Sequence, residues 1–488
     1  MSFEANGAAY PGAQYDAAWR ELTFPADYAN PEPKTRYHIV VLGAGSAGLI
    51  TAMGAAGLGA RVALIERAAM GGDCLNVGCV PSKALLAFTR RSEDAVGFDD
   101  AYEWMRKVRS EISEHDSVER YTQSGVDVFL GSAQLLDDTT VQFGEQRLNA
   151  RRIVLATGAR AAVPPIPGLL ECEPLTNETL FDLRKPPASL SILGAGAIGC
   201  EMAQAFVGLG VEVHLFEMAD RVLPLEEKEA SAVVAQALER DGVTLHLNTA
   251  VSSISRHDSK VTVESPAVQI TTDKILVAAG RRANIEDLNL DVAGVDTEAG
   301  LVKVDRRLRT SNPRIYAAGD VCSRAQFTHN ADAQARIVVQ NALFAATAST
   351  DGLVIPHCTY TDPEVAHVGR NRTELKQQLV RFDVYRIAFG DLDRSRTQGD
   401  AEGYVEVLTR EGGDKILGAT IVGHDAGEQI AALCIAMSHR IGLAGLGKTV
   451  LPYPTRAEYL RRLADSYNRT RLTPRTKRMM AQWFRWNA

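Results

Sequence analysis

Two cysteines, Cys74 and Cys79, are separated by four residues in the segment GGDCLNVGCVPSK, residues 71–83. In a regular α-helix, five residues give about 7.5 Å of rise and about 140° of rotation, so the two Cα atoms would be roughly 8–9 Å apart. A disulfide needs a separation below about 7 Å, so a bond between these sulfurs predicts a bend in the helix, which Gly78 permits at low cost. A disulfide across so tight a ring is expected to be strained and easily reduced, which suits redox catalysis. By spacing alone, two unbonded thiols in a reducing compartment are an equal alternative.

Two glycine-rich turns each follow an apolar segment and precede a helical pattern. The apolar segments are residues 37–42 and 189–193, and both are typical of buried strands. The glycines of the two turns are Gly43, Gly45 and Gly48, then Gly194, Gly196 and Gly199. Such glycines allow a tight turn and let the backbone approach a pyrophosphate at a helix N-terminus. In each copy the next strand ends at an acid, Glu66 or Glu217, which can bind ribose hydroxyls, so the chain is predicted to bind two dinucleotides.

With these motifs the chain resembles the class I pyridine nucleotide–disulfide oxidoreductases, the family of dihydrolipoamide dehydrogenase, glutathione reductase and mercuric reductase. The similarity covers residues 37–467 and includes the short motifs Ala156-Thr157-Gly158, Ala279-Gly280-Arg281, Ala318-Gly319-Asp320 and Tyr360-Thr361-Asp362-Pro363-Glu364. The redox segment and the ending Pro452-Tyr453-Pro454-Thr455 are most similar to mercuric reductase and its relatives. The resemblance implies an α/β fold with two Rossmann-like dinucleotide-binding domains and a C-terminal α+β dimerisation domain, as in glutathione reductase.

The resemblance and the motif positions divide the chain into five parts. An N-terminal extension (1–36) is expected to pack on the body, because it is too aromatic for a free tail, with Tyr10, Tyr15, Trp19, Phe24 and Tyr28 among its residues. An FAD-binding domain (37–160 and 284–352) and an NAD(P)-binding domain (161–283) follow. The dimerisation domain (353–467) is implied to complete the partner's active site in a homodimer. The tail (468–488) is basic and aromatic; we expect its apolar side to pack against the dimer, with membrane-surface binding as the less favoured alternative.

The resemblance also implies roles for individual residues. FAD is assigned to the first glycine turn, NAD(P)H to the second, and electrons pass from the flavin to Cys74 and Cys79. Cys79 is implied to be the thiol beside the flavin, and Cys74 the outer thiol that meets the acceptor. Lys83 is implied to lie near the flavin and to pair with Glu201, and its positive charge is one candidate for lowering a thiol pKa. Asp320 is implied to accept a ribityl hydroxyl of FAD.

The full set of residues implied to bind the two cofactors follows the matched motifs. It consists of Gly43, Gly45, Ser46, Ala47, Gly48, Glu66, Arg67, Gly72, Asp73, Lys83, Ala133, Thr157, Gly158, Asp320, Phe327, Thr328, Gly194, Gly196, Ala197, Ile198, Gly199, Glu201, Glu217, Val251 and Gly280.

Glu217 bears on which nicotinamide nucleotide is used. A carboxylate there binds the 2′ and 3′ hydroxyls of NADH but repels a 2′-phosphate. Arg221 lies four residues later and would offset part of that repulsion, so NADH is predicted to be the preferred donor. Ala197 stands where the glutathione reductase pattern has a bulky aromatic gate, which predicts a less shielded nicotinamide pocket.

The acceptor side departs from the disulfide reductase pattern. Lipoamide and glutathione reductases carry a histidine and a glutamate near the C-terminus, and the histidine shuttles protons to the leaving thiol. Here Tyr453 stands at the histidine position and Glu458 keeps the acid, and a tyrosine with a pKa near 10 is a poor base at neutral pH. Mercuric reductase also has tyrosine here, but this sequence shows neither its C-terminal cysteine pair nor its N-terminal metal-binding module. A tyrosine that only packs in a core or interface is the alternative interpretation.

Composition excludes several classes of protein. The 488 residues suffice for three domains, and a mean hydropathy of −0.10 is ordinary for a soluble globular protein. A net charge of −7 argues against nucleic-acid binding. The sequence has no apolar stretch of about 20 residues and no secretory signal, so a cytoplasmic protein without a transmembrane segment is expected. No metal site is predicted, because metal-ligand spacing is absent from the other cysteines, Cys172, Cys200, Cys322, Cys358 and Cys434.

These observations predict a homodimeric, FAD-dependent NAD(P)H reductase that passes electrons through Cys74 and Cys79 to a metal ion or small electrophile. A reductase for a disulfide substrate, of the dihydrolipoamide dehydrogenase or glutathione reductase type, is the alternative enzyme. A non-catalytic binding protein built on the flavin-binding fold is the alternative of another class, and the intact redox pair and both glycine turns argue against it.

Overall fold

The computed structural model describes residues 10–91 and 96–487. These residues form two compact units: the first runs to Asp220 and includes Asp241–Gly352, and the second combines Arg221–Arg240 with the chain from Leu353 onward. Within the described part of the chain, every helix is too short or too polar to span a bilayer.

The strands are, in chain order, β1 (Tyr37–Leu42), β2 (Val62–Glu66), β3 (Val126–Leu130), β4 (Ala133–Leu135), β5 (Thr140–Phe143), β6 (Gln146–Leu155), β7 (Ala159–Ala161), β8 (Ser189–Leu193), β9 (Glu212–Phe216), β10 (Thr244–His246), β11 (Ser253–His257), β12 (Lys260–Glu264), β13 (Gln269–Thr272), β14 (Lys274–Val277), β15 (Arg281–Ala283), β16 (Thr297–Glu298), β17 (Leu301–Val302), β18 (Ile315–Ala317), β19 (Pro356–Thr359), β20 (Glu364–Gly369), β21 (Phe382–Ala388), β22 (Tyr404–Arg410) and β23 (Ile416–Gly423).

The α-helices are α1 (Ala13–Thr23), α2 (Ser46–Gly57), α3 (Gly72–Val77), α4 (Cys79–Thr89), α5 (Phe98–Ser113), α6 (Val118–Gln123), α7 (Asn177–Leu180), α8 (Ala197–Gly208), α9 (Lys228–Asp241), α10 (Thr328–Leu343), α11 (Arg372–Gln377), α12 (Asp393–Gln398), α13 (Ala426–Ser438), α14 (Leu443–Leu446), α15 (Glu458–Thr470) and α16 (Pro474–Trp486).

The first unit contains two parallel sheets that begin at the two predicted strands. In one sheet, β3, β2, β1 and β6 are adjacent and parallel, and β18 adds to β6. In the other, the order is β10-β9-β8-β14, again all parallel. Strands β2 and β8 are buried along their whole length, as a parallel sheet covered on both faces requires. The two Rossmann-like sheets expected from the sequence are therefore confirmed.

Each parallel sheet passes into antiparallel strands. β4 and β5 form a meander with the long β6, and β11, β12 and β13 form a separate three-stranded sheet. A short pair, β7 and β15, lies next to the chain segments that connect the two sheets. β6 is parallel to β1, and β14 is parallel to β8. The loops that follow β6 and β14 therefore lie beside the two glycine turns, at the carboxyl edge of each sheet.

The second unit is built on a five-stranded antiparallel sheet. Its order is β19-β20-β23-β22-β21, and every adjacent pair is antiparallel. Apolar residues of α13 and α15, among them Leu433 and Leu463, pack with the strands in one core cluster. This unit is the α+β part of the predicted fold class.

The two ends of the chain differ in how they pack. In the described part of the N-terminal extension, α1 buries Trp19, which is 2% exposed, as its aromatic content predicts. At the other end, α16 has no buried residue, and Trp483 and Phe484 are among its exposed apolar side chains. The expected packing of this tail against a second copy of the chain stays a prediction.

Candidate active site

The helix predicted to bend between the two cysteines is interrupted there. α3 ends at Val77 and α4 begins at Cys79, and between them Gly78 has φ −136° and ψ −116°. A Cβ atom at Gly78 would lie 2.7 Å from the backbone oxygen of Asp73, so only glycine fits this approach of the two helices. Cys74 and Cys79 are both free thiols in this structure, which therefore represents the reduced pair.

The two sulfurs have different electrostatic environments. The Cys74 thiol donates a hydrogen bond to the Cys79 sulfur, and this contact is the main reason that the pKa of Cys79 is lowered to about 6. The charge of Lys83 and a hydrogen bond with Thr328 lower it further, and burial opposes them. The same sulfur–sulfur hydrogen bond, followed by burial, raises the pKa of Cys74. Cys79 is also the first residue of α4, where the helix dipole favours an anion. These effects favour the thiolate form at Cys79 and the protonated form at Cys74.

Lys83 and Glu201 lie in contact. The Lys83 Nζ atom is 2.6 Å from the Glu201 Oε2 atom, and the Glu201 side chain is only 4% exposed. Lys83 belongs to α4 and Glu201 to α8, so the ion pair joins the redox segment to the helix that follows the second glycine turn. Breaking one side of so buried a pair leaves an uncompensated charge, which makes the pair a strong positional constraint.

The two glycine turns have nearly the same geometry. Gly43 has φ +101° and Gly194 has φ +100°, a region that favours glycine. A Cβ on Gly48 would lie 1.8 Å from the Gly43 oxygen, and a Cβ on Gly199 would lie 1.9 Å from the Gly194 oxygen. These glycines therefore let the helix begin directly against the strand end, and the sixth position of each turn, Gly48 or Gly199, cannot accept a side chain.

The acid at the end of the second strand fixes each turn through the backbone. Glu66 accepts a hydrogen bond from the Ala44 N–H at 2.6 Å, and Glu217 accepts one from the Ala195 N–H at 2.8 Å. Burial raises the pKa of Glu66, and the backbone hydrogen bonds oppose that rise. The N-termini of α2 and α8 have no side-chain cap in the described chain, so their first N–H groups can bind an anion. Both turns fit a dinucleotide pyrophosphate.

A cluster of two acids and one arginine lies next to the redox segment. Arg281 forms an ion pair with Asp73, and its Nε atom lies 3.6 Å from Asp320. Burial raises the pKa of Asp320 to about 6, and the charge of Arg281 opposes this. The buried Arg281 Nε atom lacks a hydrogen-bond acceptor within the described residues, so the site fits a polar ligand group. The sequence motif contains Arg281, but the residue was not among those predicted to bind a cofactor.

The other predicted cofactor residues occupy loops and helix ends of the first unit. A Cβ on Gly72 would lie 2.5 Å from the Gly45 Cα, so the redox helix begins against the first turn. The remaining positions are Ser46 and Ala47 in the first turn of α2, Arg67 after β2, Ala133 at the start of β4, Thr157 and Gly158 between β6 and β7, Phe327 and Thr328 at the start of α10, Ala197 and Ile198 at the start of α8, and Gly280 before β15. Val251 is different, because it packs against the core cluster of the second sheet.

In the second unit, Tyr453 and Glu458 line one cavity but bond to other residues. The cavity has a volume of about 750 Å³. The Tyr453 hydroxyl donates to Asp393 Oδ2 at 2.7 Å, and this hydrogen bond raises the pKa of Tyr453. Glu458 accepts from Arg462 at 2.8 Å. Asp393 was not predicted from the sequence, because it comes from α12, 60 residues before Tyr453, and no local motif marks it.

Within residues 10–91 and 96–487, no three or more histidine, cysteine, aspartate or glutamate side chains are arranged so that they could hold a metal ion. The residues of the first unit offer two neighbouring thiols and two uncapped helix N-termini that can bind anions.

Comparison with known proteins gives matches along most of the chain. The family described as "Pyridine nucleotide-disulphide oxidoreductase" matches residues 37–335, and its dimerisation domain matches residues 355–464. The mercuric reductase of Staphylococcus aureus is 31% identical over 452 residues, which cover 89% of this chain and 83% of that protein. The dihydrolipoyl dehydrogenase of Chlamydia trachomatis is 33% identical over 447 residues, which cover 86% of this chain and 95% of that protein.

Solved structures give the same result. A Cu(II) complex of the HOCl-induced flavoprotein disulfide reductase RclA from Escherichia coli has a TM-score of 0.81 and 28% sequence identity, and the match covers 88% of this chain and 99% of that one. Sequence motifs, sheet order, helix break and relatives thus agree, and the chain belongs to the pyridine nucleotide-disulphide oxidoreductase family.

Proposed function

We propose that this enzyme uses NAD(P)H and FAD to reduce the Cys74–Cys79 pair, which then passes two electrons to a thiophilic metal ion or another small electrophile. The family as a whole depends on FAD and NAD(P)H. The observation that carries the proposal is the helix break at Gly78, which places the thiols of Cys74 and Cys79 together beside Lys83 and favours a thiolate at Cys79.

The residues present fit both cofactors. When bound, FAD and NAD(P)H would supply the hydride and electron transfer that reduces the disulfide. In this proposal the N-terminus of α2 binds the FAD pyrophosphate and that of α8 binds the NAD(P)H pyrophosphate, since both are uncapped in the described chain. Asp320 would accept a ribityl hydroxyl, and Lys83 would place its positive charge between the flavin and Cys79.

The acceptor step balances without a proton donor when the acceptor is a metal ion. One Hg(II) bound by the pair takes two electrons to become Hg(0), the two sulfurs form a disulfide, and the Cys74 thiol releases one proton. Two Cu(II) ions would each take one electron with the same result at the pair. A disulfide acceptor instead leaves as a thiol and a thiolate, and the tyrosine at position 453 has a raised pKa that makes it a weak acid for this purpose.

The names of the relatives support a metal-ion acceptor and also leave a disulfide acceptor as the second candidate. Mercuric reductases are among the relatives at 31–32% identity, and the similar RclA structure is of a Cu(II) complex. Dihydrolipoyl dehydrogenases match at similar identity, which favours disulfide reduction as the second candidate. Tyr453 in place of a histidine is the observation that sets the first candidate above the second.

Three further parts belong to the same proposal. NADH is the preferred donor, since Glu217 carries a negative charge at the end of β9. The enzyme works as a homodimer, since the chain contains the family's dimerisation domain. Residues 37–160 and 284–352 bind FAD, and residues 161–283 bind the nicotinamide nucleotide.

The test is a comparison of electron acceptors on purified, FAD-loaded enzyme. NADH consumption is measured with Hg(II), Cu(II), lipoamide and glutathione disulfide under the same conditions. We expect turnover with the thiophilic ions and only slow reaction with the two disulfides. Turnover of lipoamide or glutathione disulfide at the rate of a histidine-containing relative would reject the metal-ion proposal in favour of a disulfide reductase.

A further inference from the structure

Two of the four residues between the cysteines, Asn76 and Val77, are held by groups from outside the redox segment. Asn76, which is 2% exposed, accepts a hydrogen bond from Trp19 Nε1 at 2.7 Å. Its side-chain nitrogen donates to the backbone oxygens of Ala69 at 3.2 Å and Met70 at 3.1 Å. The amide of Asn76 therefore joins α1 to the chain just before the redox helix, using both its oxygen and its nitrogen.

The helix break leaves backbone carbonyls that need other partners. Because α3 ends at Val77, the carbonyls of its last turn have no helical N–H to accept from. The Arg109 side chain donates to the backbone oxygen of Asn76 at 2.9 Å, and the Asn177 side chain donates to the backbone oxygen of Val77 at 3.2 Å. The break between the cysteines is thus stabilised by two side chains from α5 and α7.

Arg109 is itself positioned by α1. Its NH2 atom lies 2.7 Å from Asp16 Oδ1, and its guanidinium lies 4.1 Å from the centre of the Trp19 ring. Asp16 also lies 3.2 Å from the Nε atom of Arg106. Both arginines are 1% exposed or less. Buried cations need a paired anion, and Asp16 supplies one from α1.

The end of α1 is connected to the redox segment a second time, through the backbone. The Met70 N–H donates to the Thr23 oxygen at 3.1 Å, directly before Gly71. Helix α1 therefore contacts the chain on both sides of Cys74, at Met70 just before the redox segment and at Asn76 within it. The family model matches from residue 37, so this helix lies outside the residues that the model matches.

We propose that α1 positions the redox pair, with Trp19 and Asp16 acting through Asn76 and Arg109 to hold the Cys74 sulfur against the Cys79 sulfur. Asp16, Trp19, Asn76 and Arg109 are positioning residues, since none of them contacts either sulfur in the contacts described above. This proposal rests on the redox role given to the two cysteines. It assigns a function to an extension that precedes the first glycine turn.

The test is the Trp19→Phe variant with Tyr28→Phe as its matched control. Both substitutions keep a buried ring and remove one hydrogen bond of the extension, since Tyr28 donates to the Val128 oxygen of β3 at 2.9 Å, on the sheet rather than the redox segment. The rate of Cys79 alkylation by iodoacetamide is measured against pH on the reduced, FAD-loaded enzyme. Thermal unfolding reports the loss of stability in each variant separately.

In Trp19→Phe, the Cys74 sulfur is less firmly placed, and the hydrogen bond that most lowers the Cys79 pKa is weakened. We expect the alkylation rate at pH 6.5 to fall by about two- to threefold, with little change above pH 9, because only the thiolate reacts. Tyr28→Phe should keep the wild-type pH profile. In an Asn76→Ala background, adding Trp19→Phe should change the profile no further, since the two residues act through one contact.

An unchanged profile in Trp19→Phe, or equal changes in both variants, would overturn the proposal. Hydrogen exchange on the wild-type enzyme tests it without a variant: amides of α1 and of residues 75–79 should open with the same free energy. If the amides of α1 exchange much faster than those of residues 75–79, the proposed positioning role of α1 is also rejected. This outcome can be told apart from a failure of the proposed function. If the two cysteines of the wild-type enzyme never form an exchangeable disulfide, the proposed function is wrong, regardless of the result for Trp19→Phe.

Discussion

The redox segment, residues 71–83, and the acceptor-side segment, residues 451–458, differ in how much of their environment is built around them. Cys74 in α3 is half-buried and Cys79 at the start of α4 is exposed, and Lys83 and Thr328 lie near both sulfurs. Tyr453 is 71% exposed, and its hydroxyl contacts a single carboxylate from a short helix. A thiol pair that forms and breaks a bond needs fixed sulfurs, whereas a residue that meets an external acceptor needs access.

This difference indicates which part of the enzyme can change its chemistry. Substitutions in the redox segment disturb buried contacts, while a change at Tyr453 disturbs one surface hydrogen bond. Relatives with different named activities match most of this chain at similar identity, and we therefore expect a few accessible residues to decide the acceptor.

The largest effect is expected from the cysteines. Cys79→Ser should lower NADH-dependent metal reduction by about 10³-fold or more, because no thiolate remains, and Cys74→Ser should do the same, because no disulfide can form. The two variants should differ in the long-wavelength absorption that a thiolate beside oxidised flavin gives with one equivalent of NADH, which Cys74→Ser keeps and Cys79→Ser loses. Cys434→Ser, in the second unit, should retain turnover. Equal absorption in both single variants would contradict the assignment of the flavin-side thiolate to Cys79 and of the outer thiol to Cys74.

The next effect concerns the accessible segment. Tyr453→His should raise activity on lipoamide or glutathione disulfide by about tenfold or more, because a histidine can protonate the leaving thiol. In this structure the carboxylate nearest to that side chain is Asp393, at 2.7 Å from the tyrosine hydroxyl, rather than Glu458. The gain should therefore shrink in an Asp393→Asn background and persist in Glu458→Gln. Tyr453→Phe is the control, and an equal gain in it would argue that the tyrosine only blocks access.

The donor side gives a smaller effect. Glu217→Gln should narrow the preference for NADH over NADPH by about five- to tenfold in kcat/KM, because a neutral amide no longer repels a 2′-phosphate. Glu66→Gln, at the equivalent position of the first turn, should change FAD retention and leave the nucleotide preference as it is. A wild-type enzyme that prefers NADPH would contradict the prediction and make Arg221 the residue that decides the preference.

The smallest effect is expected from the charge at Lys83. Removing it in Lys83→Met should raise the Cys79 pKa above its value of about 6, since Lys83 is one of the groups that lower it. The thiolate fraction then falls at pH 6–7 and recovers at higher pH, so alkylation at pH 6.5 should slow by about threefold and be unchanged above pH 9. Lys83→Arg keeps the charge and should keep the profile. The same loss of rate at every pH would indicate a structural effect instead.

Much of the fold and part of the site could be predicted from local sequence. The strands at Tyr37 and Ser189, the glycine turns after them and the helix break at Gly78 each follow from residue types that permit one local geometry. Arg281 belongs to a recognised motif, yet its contact with Asp73, 208 residues away in sequence, could not be predicted from that motif. The contacts of Asp393 with Tyr453 and of Trp19 with Asn76 are of the same kind.

The sequence by itself determined the family, the two nucleotide-binding turns and the redox pair, because these depend on glycines, acids and cysteines at short, fixed spacings. Only the tertiary structure shows why the pKa of Cys79 is the lowered one, since that depends on the contact with Cys74 and on Lys83 and Thr328 beside it. It also decided that the N-terminal helix reaches the redox segment, at Asn76 and Met70. Such contacts join residues 47 to 57 positions apart in sequence, and only the packing of whole elements brings them together.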